Sequence, residues 1–133
     1  TFDFITAFRF FPNAQPELRR EVLRVLVGHM APGGILVFNN HRNAGSLRIR
    51  LTRWLGRRKG KGWSWAETEA LVAEAGLEVA AVHSLCVFPA SERHPLLPVR
   101  LVRGIEEAAR RFRWLGRWGE NQIVVCRRAE KEA

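Results

Sequence analysis

Asn39, Asn40 and His41 follow directly on the apolar run at residues 35–38. An imidazole has an unperturbed pKa of about 6.5, which suits a group that takes up and gives back a proton near neutral pH. Asn39 and Asn40 each carry a donor and an acceptor and would orient a hydroxyl or carbonyl. The same residue types also build turns, and a histidine there also serves as a solvated or capping group. A second cluster spans residues 6–13, where Arg9 interrupts a run of Phe8, Phe10 and Phe11. Its guanidinium matches a ligand carboxylate and equally a structural ion pair. The three phenylalanines fit ordinary packing as well as a ligand wall. His29, His83 and His94 have no neighbours that recommend them. Cys86 and Cys126 lack a CxxC partner or a histidine at ligand spacing, so no metal site is expected. They read as reduced core thiols of a cytosolic protein.

Both clusters need strands to hold them. Residues 2–8 are β-rich and short, the pattern of a strand buried on both faces. Pro16 and Glu17 open a helix with Leu18, Val22, Leu23, Val25, Leu26 and Met30 mostly on one face and Arg19, Arg20 and Arg24 largely on the other. Pro32, Gly33 and Gly34 stop it. The apolar run at 35–38 is then a second buried strand, and strand–helix–strand over this length predicts a right-handed parallel crossover. Ligands in such sheets lie beyond the carboxyl ends of the strands, which is where residues 6–13 and 39–43 fall.

Ser46 caps a short helix from Leu47 to about Leu55. Ser64 with Glu67 forms a capping box for a helix that buries Trp65, Leu71 and Val72 and ends at Gly76. A strand from Leu77 to about Phe88, a proline-rich loop, a helix opened by Pro98 and a last strand at 122–126 complete the order. The helix after Pro98 has an apolar side of Leu101, Ile105, Ala108, Ala109, Phe112 and Leu115. A charged tail follows. There is no internal repeat and no interdomain linker, and 133 residues fit a single domain.

Charge is concentrated in one place. The net charge is +9, from 22 Lys and Arg against 13 Asp and Glu. Eight basic residues (Arg42, Arg48, Arg50, Arg53, Arg57, Arg58, Lys59 and Lys61) lie in residues 42–61, which contain no acid. Removing them leaves 14 basic residues against 13 acids. Within this stretch Leu47, Leu51, Trp54 and Leu55 recur at helical spacing beside Arg50, Arg53 and Arg57. Such a basic amphipathic helix serves as a lid, a membrane-surface anchor, an anion contact or a plain solvated face. Nucleic-acid specificity motifs are absent. No apolar run reaches the roughly 18 to 20 residues of a membrane span, and residues 1–5 do not read as a signal peptide.

The ordered segments resemble the C-terminal half of a class I S-adenosylmethionine-dependent methyltransferase. Residues 2–11 are similar to that family's fourth strand and following loop, and residues 30–38, Met-Ala-Pro-Gly-Gly-Ile-Leu-Val-Phe, to its Pro-Gly-Gly turn and fifth strand. Residues 75–79 resemble the step into the sixth strand, and residues 121–127 the seventh, antiparallel strand. The resemblance covers most of the chain apart from inserts at 42–62 and 89–119. It implies an α/β fold, the C-terminal part of a Rossmann-like sheet, with parallel strands, a final antiparallel strand and helical inserts.

The resemblance also implies a function. Thr6, Ala7, Phe8 and Arg9 would flank the cofactor S-adenosylmethionine. Phe10, Phe11, Asn13, Asn39 and Asn40 would face the acceptor, and His41 would be the catalytic base. The acceptor would be a small or lipid-linked molecule, and the protein cytoplasmic. The family's glycine-rich cofactor loop has no counterpart here, and the chain starts at Thr1 without an initiator Met. The expectation is therefore a partial domain, inactive alone, whose first-strand edge is covered by a missing N-terminal half, a second chain or a swapped copy. The alternative is a non-catalytic basic module that binds an anionic surface, with membrane the possible partner and nucleic acid the less favoured one.

Overall fold

The sheet takes its order from two kinds of connection, two helical crossovers and one antiparallel return. The computed structural model describes residues 1–56, 62–87, 97–112 and 114–129. Strand β1 (Phe2–Ala7) leads into helix α1 (Pro16–Gly28) and back into strand β2 (Met30–Asn40), parallel to β1. After helices α2 (Leu47–Trp54) and α3 (Trp65–Glu74) comes strand β3 (Leu77–Leu85). Helix α4 (Val99–Arg111), one turn of 3-10 helix (Leu115–Trp118) and strand β4 (Asn121–Arg128) finish the order. Strand β4 inserts between β2 and β3, antiparallel to both, giving β1-β2-β4-β3. The α/β class, the parallel pair and the final antiparallel strand are as expected.

Local chemistry explains the helix ends. Pro16 sits in the first turn of α1, where its missing N–H costs nothing. Ser46 caps α2 through the Ile49 N–H. Ser64 and Glu67 form the reciprocal capping box of α3, and Gly76 follows with φ of +72°.

The core lies between the α1/α3 layer and one face of the sheet. Leu36 and Phe38 of β2 and Val124 and Cys126 of β4 meet Leu23, Leu71 and Val72 of the helices. Arg20 and Arg24 of α1 join α3 through Glu74. These exposed pairs contribute little each.

Several expectations need correction. Strand β1 is not buried on both faces: it is a sheet edge, and Phe2 and Phe4 stand about 58–59% exposed. Met30 belongs to β2 and not to the preceding helix, which ends at Gly28. Pro32, Gly33 and Gly34 therefore form a bulge instead of a helix stop, because the register jumps from Phe2–Met30 to Phe4–Ile35. Gly34 is required there. A Cβ would lie 3.0 Å from the backbone oxygens of both Ala31 and Phe2. Arg19 does not face solvent but stands 4.9 Å over the Trp63 ring. The apolar side of α2 stays largely open, with Leu51, Trp54 and Leu55 exposed, whereas α4 exposes Leu101 and Phe112 but buries Ala109. Leu115 lies in the 3-10 turn rather than in α4. Cys86 is exposed, whereas Cys126 is buried, which pushes its thiol up to about 12. Arg57, Arg58, Lys59, Lys61, Phe88 and His94 lie outside the described residues.

Candidate functional site at the strand ends

The carboxyl ends of β1 and β2 are tied by one hydrogen bond. Arg9 adopts φ of 60°, a left-handed conformation unusual for a residue with a Cβ. In it the Arg9 backbone N–H donates to Asn39 Oδ1 at 2.6 Å. Asn13 Nδ2 in turn donates to the Arg9 carbonyl at 2.6 Å, closing the turn after β1. The other end of the Asn39 amide, Nδ2, donates to Asn121 Oδ1 at 3.3 Å, so the contact continues to β4. Arg9, Asn13 and Asn39, expected at the site from two separate stretches of sequence, therefore meet.

His41 stands one residue beyond β2. Its Nδ1 is buried and has no hydrogen-bond partner among the described residues. Partial burial lowers the His41 pKa from its ordinary value, and the positive charges of Arg42 and Arg9 lower it further. The ring is thus neutral at pH 7, with a lone pair available to accept a proton.

Other candidates hold this site from behind. Asn40 is fully buried. Its Nδ2 donates to the Trp63 carbonyl at 2.8 Å, and its Oδ1 accepts from the Arg42 N–H at 3.1 Å. Phe11 is also fully buried, in an aromatic group with Phe38 at 4.9 Å and Trp63 at 6.1 Å between centroids. Phe10 packs edge-on against Phe11. Thr6 and Phe8 remain exposed, and Ala7 is half-buried, at the open edge of the sheet.

Two residues to which the sequence assigned no role in the site organise the surroundings. Trp63 is the centre of the aromatic group; its place beside a capped helix pointed only to packing. Asn43 is 1% exposed and joins the segment after β2 to the segment before β4. Its Nδ2 donates to the carbonyls of Arg117 and Gly119, both at 2.8 Å, and its N–H donates to the Glu120 carbonyl at 3.2 Å. Arg48 of α2 adds a two-pronged contact to the Glu120 carboxylate at 2.9 Å. No periodicity or motif signals an asparagine in this role.

No protein-family model and no curated protein matches the sequence. Solved structures do match by shape. One is a chain of the complex between the Haloferax volcanii Trm112 methyltransferase activator and the putative methyltransferase. It has a TM-score of 0.57 and 17% identity, covering 100% of this chain and 56% of that one. Another is a SAM-dependent methyltransferase from Archaeoglobus fulgidus. It has a TM-score of 0.56 and 14% identity, covering 94% of this chain and 58% of that one. The chain thus spans little more than half the length of these structures. Its fold is part of the Rossmann-like fold of class I S-adenosylmethionine-dependent methyltransferases.

Proposed function

We propose that the chain is the C-terminal portion of an S-adenosylmethionine-dependent methyltransferase domain acting on a small or lipid-linked acceptor. The observation that carries this reading is the Arg9–Asn39 hydrogen bond at the carboxyl ends of β1 and β2, with His41 directly after β2 and within the electrostatic reach of Arg9, in a sheet of methyltransferase order. The bound cofactor would supply an electrophilic methyl group. Thr6, Ala7, Phe8 and Arg9 fit one flank of it. Its glycine cradle has no counterpart among the described residues: Gly33 and Gly34 sit at the opposite end of β2, against Phe2. Neutral His41 takes the proton of an acceptor hydroxyl, while Asn39 fixes the turn that aims Arg9. Phe10 and Asn13 line the acceptor side, backed by Phe11 and Asn40.

The open edge of β1 supports a further part of the reading, that the site is completed by an N-terminal half, a second chain or a swapped copy. The Haloferax volcanii structure holds a methyltransferase with an activator, which supports a partner chain here as well. Calorimetric titration of S-adenosylmethionine tests the proposal. This chain alone should bind none, and the chain extended upstream of Thr1 should bind tightly. Absence of binding to the extended chain would sink it.

A second reading rests on α2. Trp54 is 82% and Leu55 62% exposed, next to Arg50 and Arg53, a surface suited to anionic lipid headgroups. Among the described residues no helix is long and apolar enough to cross a membrane. A cytoplasmic protein that docks on the membrane face would meet a lipid-linked acceptor there. Co-sedimentation with phosphatidylserine vesicles should fall steeply with salt, and Trp54→Ala should weaken it. A flat salt response disposes of this reading, and preferential binding to an oligonucleotide replaces lipid with nucleic acid.

A further inference from the structure

A cleft of about 600 Å³ opens between α3, α4 and the outer end of β3 and β4. It lies on the helix-covered face of the sheet. Across the three strands, Asn40, Gln122 and Ser84 stand in register as one polar row above the apolar row of Phe38, Val124 and Val82. Asn40 spends its amide on Trp63 and Arg42. Gln122 is different. It lines the cleft and is 1% exposed, and its Oε1 has no hydrogen-bond partner among the described residues. A buried amide oxygen without a donor is unfavourable, so the site calls for one.

The walls define the rest of the occupant. Trp65 of α3 and Trp114 before the 3-10 turn both line the cleft, and Trp114 is 59% exposed. With Val82 and Ala109 they present flat apolar surface. Arg110 and Arg117 also line it, against one acid, Glu69. Arg110 is engaged by Glu107 at 3.5 Å, which leaves Arg117 as the cation for a ligand. Apolar walls and convergent polar groups thus share the lining about equally, which suits a ligand with a flat ring and a polar, charged end.

We propose that this cleft binds an aromatic carboxylate bearing an N–H or O–H, with its ring between Trp65 and Trp114, its donor on Gln122 Oε1 and its anionic end at Arg117. The cleft centres on β3 and β4, beside the end of β2 that carries His41, and its ligand does not depend on methyl transfer.

Calorimetry on the full chain, without S-adenosylmethionine, tests it with three probes. Indoleacetate carries ring, N–H and anion; N-methylindoleacetate lacks the donor; indoleacetamide lacks the charge. Indoleacetate should bind about tenfold tighter than N-methylindoleacetate, as expected where a buried acceptor is left unpaired. Gln122→Leu should erase that difference. Trp114→Ala and Arg117→Ala change exposed residues and should leave the fold intact. Each should weaken indoleacetate several-fold, and Arg117→Ala should erase the preference over indoleacetamide. Three results overturn the proposal: no saturable binding of indoleacetate below about 1 mM, equal affinity for the N-methyl analogue, or affinity unchanged by both surface substitutions.

Discussion

The Arg9 backbone N–H and the Asn39 side-chain oxygen lie 2.6 Å apart, and this contact closes the carboxyl ends of β1 and β2 upon each other. Asn39 is buried, so the bond is sheltered from competing water. Asn39→Leu removes the acceptor and leaves Arg9 in a left-handed conformation with nothing to hold it. Urea denaturation should show a loss of about 1–3 kcal/mol. Asn39→Asp keeps an oxygen in place and should recover much of that stability.

His41 should titrate below the ordinary histidine value, since burial first and then Arg42 and Arg9 disfavour its charged form. The unfolded chain then binds more protons than the folded one between the folded pKa and about 6.5. Stability contributed by neutral His41 is present above that window and is lost as pH falls through it. An NMR titration of the imidazole should report the lowered midpoint, and His41→Gln should flatten the pH dependence of stability there. A midpoint at or above the free value would contradict the electrostatics described.

Trp63 joins Phe11 and Phe38 below and the Arg19 guanidinium above. Trp63→Ala should cost about 3–5 kcal/mol in thermal or urea unfolding, because it empties the centre of a packed group. Trp63→Phe should cost much less. Arg19→Met should cost about 1 kcal/mol or less, through the lost ring contact.

The β1 edge presents Phe2 and Phe4 on a strand whose outer side pairs with no other strand among the described residues. Sedimentation velocity on the isolated chain should show association that grows with concentration. Phe4→Lys should shift the chain toward monomer without loss of helical circular dichroism. Unchanged association would place the sticky surface elsewhere, with α2 and its exposed Trp54 the next surface to vary.

What could be read in advance was what local chemistry determines. Ser46, Ser64 and Glu67 announce helix starts because their side chains bond within a turn of their own backbone. The strand succession was legible through the family resemblance, and so was the placement of residues 6–13 and 39–43 at strand ends, but not the bond from the Arg9 backbone N–H to Asn39. The remainder depends on distant partners. A Pro-Gly-Gly bulge and a Pro-Gly-Gly helix stop look alike until Phe2 is placed beside Gly34. Phe4 in a buried strand and Phe4 on an open edge are the same residue in the same pattern. Trp63, Asn43 and Gln122 acquire their roles only from elements tens of residues away, so no spacing rule reaches them.

The bonds of Asn43 have a consequence for engineering this scaffold. Its amide and N–H grip the chain at Arg117, Gly119 and Glu120, and Arg48 reaches the same Glu120. The two loops that roof the strand ends therefore behave as a single cassette, although more than 70 residues separate Asn43 from Arg117. A chimera that grafts one loop from another protein inherits half of an interlocking pair. Donor loops should be exchanged together, and directed evolution of one should return compensating changes in the other.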